Sequence, residues 1–166
     1  MSLKKSVVYK DLFNKFDLDG NGTIEFNEFL IHIKTVFSLE PTDKRFDRTF
    51  MSIFYLSDTS SLVKKKDNVI DKKEFKKIAD AIPVIDDKPI EEIIGCFLFN
   101  IIDDNFSGKI NLKEMEMFTE SIGLGKEHAS GFITQIPKTD SDESKISKKD
   151  FVNWYVTGFR IASKSK

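Results

Sequence analysis

Two acidic, glycine-containing phrases repeat in this chain, and they constrain its fold more than any other feature. The first, FDLDGNGTIEFNEF, covers residues 16–29, and the second, IDDNFSGKINLKEM, covers residues 102–115. A weaker echo follows each of them, DNVIDKKEF at 67–75 and SKISKKDF at 144–151. The order strong, weak, strong, weak indicates four related units, two in each half of the 166 residues.

Apolar residues at helical spacing flank these units. Before the first phrase, Val8, Leu12, Phe13 and Phe16 fall on one face of a helix. Similar stripes follow the first phrase and precede the second. Each unit is therefore predicted to be a polar loop between two helices.

An acidic loop of this kind suits a hard divalent cation. Calcium takes six to eight oxygen ligands at about 2.3–2.6 Å. In a twelve-residue loop, side-chain oxygens at positions 1, 3 and 5 converge, and a glycine at position 6 makes the sharp turn. Position 7 gives a backbone carbonyl, position 9 binds directly or through water, and a glutamate at position 12 gives two oxygens.

The first and third units fill these positions. The candidate ligands of the first loop are Asp17, Asp19, Asn21, Thr23, Glu25 and Glu28. Those of the third loop are Asp103, Asn105, Ser107, Lys109, Asn111 and Glu114. Gly22 and Gly108 stand at position 6, and Lys109 is acceptable at position 7 because only its carbonyl is needed. We expect one calcium ion in each of these loops.

The second unit departs from the pattern. Counting back from Glu74 places Val63 and Lys65 at positions 1 and 3, and neither side chain can bind a cation. A start at Asp58 is the alternative, and it makes the loop five residues longer than twelve. The shorter loop has no cation ligands at these positions, and the longer one could bind only by an unusual path, so the second loop is predicted to be degenerate.

The fourth unit is also degenerate. Counting back from Asp150 gives Thr139, Ser141, Glu143 and Ser144 at positions 1, 3, 5 and 6. Aspartate at position 12 is too short for easy bidentate binding, and position 6 lacks glycine. The preceding helix is expected to end before Pro137, which suggests two inserted residues. This loop is predicted to be silent as well.

The loops resemble those of the EF-hand proteins, and the four units in two pairs resemble the calmodulin and troponin C superfamily. The resemblance extends from about residue 8 to about residue 159. It implies an all-α fold of about eight helices in two lobes of paired EF-hands. It also implies short antiparallel β ribbons between paired loops, with Ile24 opposite Ile70 and Ile110 opposite Ile146.

The predicted organisation has three parts. Residues 1–82 form an N-terminal EF-hand pair, with an active first loop and a degenerate second loop, and residues 90–166 form a C-terminal pair, with an active third and a degenerate fourth loop. Residues 83–89 connect them and contain Pro83 and Pro89, so we expect a bent, semi-rigid linker rather than a long central helix.

Composition excludes several functions. The 26 basic and 27 acidic residues nearly cancel, which argues against a nucleic-acid binder. No apolar run approaches the roughly 20 residues of a membrane helix, so no stable membrane insertion is expected. A single cysteine favours a reducing compartment, and we expect a cytoplasmic monomer. No catalytic motif is present, so an enzyme is not expected.

The sequence favours a calcium-binding regulatory protein that takes two Ca²⁺ ions, with Mg²⁺ as a possible competitor. A calcium sensor would expose an apolar groove to a protein target on binding, whereas a buffer would barely open. A permanent regulatory subunit of an enzyme or motor is a further alternative. The chain has 16 Phe and four Met, so we expect a stiff groove for a narrow set of targets, each binding as an amphipathic helix.

Overall fold

The computed structural model describes residues 3–58, 67–83 and 87–164. Over these residues the chain forms eight α-helices and four short strands. The helices are α1 (Leu3–Phe16), α2 (Phe26–Val36), α3 (Asp47–Ser57), α4 (Lys72–Ala81), α5 (Ile90–Ile102), α6 (Leu112–Ser121), α7 (Ala129–Gln135) and α8 (Lys148–Lys164). The strands are β1 (Ile24–Glu25), β2 (Val69–Ile70), β3 (Lys109–Ile110) and β4 (Ile146–Ser147). The predicted all-α fold with short ribbons is confirmed.

Each pair of loops is joined by one antiparallel ribbon. In the first ribbon Ile24 lies opposite Ile70, and in the second Ile110 lies opposite Ile146. All four isoleucines are fully buried. The register implied by the resemblance is therefore confirmed, and each degenerate unit contributes half of a ribbon.

The chain divides into two compact units, residues 1–81 and residues 82–166. Helix α4 ends at Ala81 and α5 begins at Ile90. Of the segment predicted as a linker, residues 84–86 lie outside the described part of the chain.

The core of the N-terminal unit is built from phenylalanine rings. Phe16 lies 5.0 Å from Phe75 and Phe29 lies 5.6 Å from Phe54, measured between ring centroids, so all four helices of the unit contribute. Val8 does not join this core, because its side chain is 61% exposed. The apolar stripe predicted for α1 is thus wrong at Val8, and the buried part of that stripe begins further along the helix.

The core of the C-terminal unit has the same character. Phe151 of α8 lies 5.9 Å from Phe99 of α5 and 6.3 Å from Phe118 of α6. Burying one such side chain contributes roughly 1.5–3 kcal/mol. Among the described helices, none is long and apolar enough to span a membrane.

Candidate metal centres

Asp17 organises the start of the first loop. It follows α1 directly, and its N–H donates to the carbonyl of Phe13 at 2.9 Å. Its side chain is buried, and its two carboxylate oxygens accept the N–H groups of Asn21 at 3.1 Å and Gly22 at 2.9 Å. Gly22 has a φ of +89°, a conformation that glycine adopts without steric cost. These bonds wind the loop around the Asp17 carboxylate.

Glu28 closes the same loop from its far end. Its Oε1 accepts the N–H of Leu18 at 3.0 Å and that of Asp19 at 3.2 Å, and its Oε2 accepts the N–H of Glu25 at 2.9 Å. Glu28 lies in the first turn of α2, and its bond from the Glu25 N–H is one half of the capping box that begins that helix; the Glu28 N–H donates to the Glu25 side chain in the other half. A cation held by Glu28 would therefore act directly on α2.

The first loop brings three carboxylates to one point. Single oxygens of Asp17, Asp19 and Glu28 all lie within 4.8 Å of one another. Like charges this close repel, and a divalent cation bound by hard oxygen ligands would relieve that repulsion. The residues present fit a calcium ion.

The other predicted ligands of the first loop lie around this cluster. Asn21 Oδ1 accepts the N–H and the hydroxyl of Thr23, each at 2.9 Å. Glu25 precedes α2 as its N-cap residue. The backbone of Asn21 is in turn fixed by Asp19, whose Oδ1 accepts its N–H at 3.0 Å.

The third loop repeats this arrangement. Asp103 is buried, and its oxygens accept the N–H groups of Ser107 at 3.0 Å and Gly108 at 2.9 Å. Glu114 is buried too, and it accepts the N–H groups of Asn105 at 3.3 Å and Asn111 at 3.0 Å. The loop therefore winds as the first one does, with two carboxylates where the first has four.

Asn111 and Lys109 complete the third loop. Asn111 Oδ1 accepts the N–H of Glu114 at 2.9 Å, which makes the capping box of α6. The carbonyl of Lys109 accepts the Ser107 hydroxyl at 2.8 Å. The Lys109 ammonium forms an ion pair with Asp140 of the fourth loop.

The second loop is organised by Asp58. Its carboxylate is buried and accepts the N–H groups of Asp67 at 3.4 Å and Asn68 at 2.9 Å, as Asp17 and Asp103 do for their loops. Asn68 has a φ of +65° and replaces the usual glycine. The structure thus favours the longer loop that starts at Asp58. Val63 and Lys65, which the shorter count placed at ligand positions, lie outside the described residues.

Glu74 closes the second loop in the same way as the other glutamates. Its Oε2 accepts the N–H of Asp71 at 2.9 Å, and Asp71 Oδ1 accepts the N–H of Glu74 at 2.9 Å. The two described ends of the second loop are therefore built like the ends of a cation loop.

The fourth loop closes on itself. Thr139 donates its N–H to one oxygen of Asp150 at 3.0 Å and its hydroxyl to the other at 2.9 Å. Burial raises the pKa of Asp150, but hydrogen bonds from Thr139 and Ser147 outweigh it and leave the pKa lowered. Ile136, Pro137 and Lys138 stand between the end of α7 and Thr139. The residues at positions 1 and 12 of this loop are thus bonded directly to each other.

Sequence comparisons agree with these loops. Residues 8–36 match the family model of the EF hand domain, and residues 98–119 match a second EF hand model. A search of curated proteins gives no significant match.

Several solved structures resemble the chain at low identity. The Ca²⁺-loaded apoprotein of berovin, a light-sensitive photoprotein from the ctenophore Beroe abyssicola, is 17% identical with a TM-score of 0.40, over 93% of this chain and 86% of that one. A Mg²⁺-loaded form of apo-berovin is also 17% identical with a TM-score of 0.40, over 92% of this chain and 86% of that one. Another light-sensitive photoprotein is 14% identical with a TM-score of 0.38, over 93% of this chain and 82% of that one.

The first family match contains the first loop and the second match contains the third loop. In both loops, carboxylates accept the loop's own N–H groups. Each matched segment also includes the glutamate that caps the outgoing helix, Glu28 or Glu114. On this evidence the chain is an EF-hand calcium-binding protein.

Proposed function

We propose that the chain is a calcium sensor that binds two Ca²⁺ ions, one in the first loop and one in the third. The observation that carries this proposal is the convergence of Asp17, Asp19 and Glu28, whose oxygens lie within 4.8 Å of one another. The matching hydrogen bonds to Asp103 and Glu114 extend the argument to the third loop. Mg²⁺ competes for the same oxygens, but it prefers a smaller octahedral site.

Calorimetric titration with Ca²⁺ tests the number and location of the ions. Glu28→Gln is expected to abolish the first site and Glu114→Gln the third, since each removes one charged oxygen of the bidentate ligand. Glu74→Gln is the matched control in the second loop and is expected to leave two ions bound. A titration that gives no ions, or four, contradicts the proposal, as does a site that survives neutralisation of its own glutamate.

The sensor assignment is supported by how the loops connect to the helices. Glu28 and Glu114 each cap an outgoing helix, so a cation that pulls on either carboxylate acts on α2 or α6. Through the ribbons, the same movement reaches the degenerate partner loops. Occupation of one loop would thereby shift the helices of a whole unit and expose part of its phenylalanine core.

The target of such a surface is a protein segment, which we propose to be an amphipathic helix anchored by apolar side chains. The chain has no chemistry of its own in this proposal and acts as a monomer in the cytosol, where a single cysteine stays reduced.

Opening can be measured directly. Ca²⁺ is expected to increase the fluorescence of an apolar dye and to change the interhelical angles that nuclear magnetic resonance reports in each unit. The Glu28→Gln, Glu114→Gln double variant is the control and should show neither effect. Unchanged angles in a protein that still binds two ions would identify a calcium buffer instead.

A further inference from the structure

Lys109 of the third loop forms an ion pair with the fourth loop. Its Nζ lies 3.0 Å from Oδ2 of Asp140 and 3.8 Å from Oδ2 of Asp142. The three side chains are 36–38% exposed, so the pair lies at the surface of the C-terminal unit. The fourth loop, which closes through Thr139 and Asp150, thus directs two other carboxylates at its neighbour.

The fourth loop holds these carboxylates through donors of its own. Asp140 Oδ1 accepts the N–H of Asp142 at 3.0 Å. Asp142 Oδ1 accepts the N–H of Ser144 at 3.1 Å and its hydroxyl at 2.7 Å. One oxygen of each carboxylate is fixed by its own loop, and the other faces the Lys109 ammonium.

The backbone of Lys109 matters to the third loop. Its carbonyl is the candidate ligand at position 7, and the residue lies in β3 opposite Ser147 of β4. An ion pair that fixes the side chain therefore also restrains the residue that presents this carbonyl. In addition, the two carboxylates offset a positive charge that would repel a divalent cation in the same loop.

We propose that Asp140 and Asp142 are positioning residues for the cation site of the third loop, and that they act through Lys109. They restrain the carbonyl at position 7 and screen the ammonium, so a loop that binds no cation itself strengthens binding in its neighbour. The inference rests on the proposed function, since it requires that the third loop binds Ca²⁺.

The test measures Ca²⁺ affinity in Glu28→Gln protein, where only the third loop binds. Asp140→Asn is expected to weaken binding about threefold at low ionic strength, and less at high salt because the charges are screened. Glu143→Gln is the matched control: it removes one carboxylate from the same loop, and among the described residues Glu143 forms no ion pair with Lys109. Its effect should stay below about 1.5-fold.

Variants of Lys109 distinguish an effect of Asp140 that acts through Lys109 from a direct electrostatic effect of the Asp140 carboxylate on the cation. With Lys109→Met present, Asp140→Asn should weaken binding no more than Glu143→Gln does, whereas Lys109→Arg should preserve the threefold effect. Equal effects of Asp140→Asn and Glu143→Gln, or an undiminished effect beside Lys109→Met, would overturn the proposal. Failure of the proposed function looks different, because Glu28→Gln protein would then bind no Ca²⁺ at all.

Discussion

At the scale of single residues, one buried aspartate organises each of three loops. Asp17, Asp58 and Asp103 each accept two consecutive N–H groups near the turn of their loop. These bonds order the loop, so a cation that enters finds much of the ordering already done. Preorganisation of this kind reduces the entropic cost of binding.

Asp150 closes the fourth loop, which is predicted to be silent, by accepting both hydrogen-bond donors of Thr139. Asp150→Asn cannot accept both Thr139 donors with charged oxygens, so the free energy of unfolding of the C-terminal unit should fall by about 1–2 kcal/mol at pH 7. Because the folded pKa of Asp150 is lowered, its contribution is present above the unfolded pKa of 3.8 and is lost as the pH falls through the folded pKa. Denaturant unfolding at pH 7 and in acid checks this: a difference between wild type and variant that grows in acid contradicts it.

Phe106 occupies a position that suits glycine. Its φ is +56°, as the φ of Gly20 at the same place in the first loop is +70°, and its side chain is 72% exposed. Phe106→Gly should raise the free energy of unfolding by about 0.5–1 kcal/mol, because it removes the steric cost of the left-handed conformation. Phe106→Ala keeps that cost and serves as the control in denaturant unfolding. Equal stabilisation by alanine would show that the exposed ring, and not the backbone, is responsible.

At the scale of helices, the contact of α5 with α8 depends on a glycine. A Cβ on Gly95 would lie 2.9 Å from the ring of Tyr155, which itself stacks on Phe159. Gly95→Ala should therefore lower the free energy of unfolding of the C-terminal unit by about 1–2 kcal/mol, although alanine is the better helix former. Thermal unfolding of the variant measures this change. Gly158→Ala in α8 is the matched control, since nothing lies within 4 Å of its added Cβ, and it should stabilise. Stabilisation by both substitutions would mean that Tyr155 moves aside at no cost.

Much of this element structure follows from the sequence, because loop spacing fixes where helices end and which residues pair. The ribbons of Ile24 with Ile70 and of Ile110 with Ile146 are examples. Spacing does not settle the second loop, where only the hydrogen bonds of Asp58 distinguish the two starting points.

The ion pair of Lys109 with Asp140 shows a second limit of sequence reasoning. The two residues are far apart in the chain, and their contact depends on how side chains leave two adjoining loops. A period in the sequence predicts the ribbon that joins these loops, but it does not predict a side-chain direction. The prediction that Val8 belongs to the buried stripe is wrong for a related reason. Helical spacing identifies one face of a helix, but it does not say how far along the helix the packing partners of that face extend.

At the scale of the whole molecule, the two units have the same arrangement of loops but differ in the charge at their candidate ligand positions. Each contains one complete loop and one degenerate loop joined by a ribbon. The first loop carries four carboxylates at ligand positions, namely Asp17, Asp19, Glu25 and Glu28. The third loop carries only Asp103 and Glu114, and its Lys109 adds a positive charge that the fourth loop offsets.

This asymmetry predicts a ranking of the two sites. More carboxylate ligands favour a divalent cation until their mutual repulsion in the empty loop becomes limiting, and N–H donors to Asp17 and Glu28 reduce that repulsion. The N-terminal site should therefore bind Ca²⁺ more tightly and lose more affinity with added salt. Glu114→Gln protein reports on the N-terminal site and Glu28→Gln protein on the C-terminal site, so calorimetry of the two at low and high salt compares them directly. Tighter binding by Glu28→Gln protein would reverse the ranking. It would show that the repulsion among four carboxylates in the empty loop exceeds their added attraction for the cation.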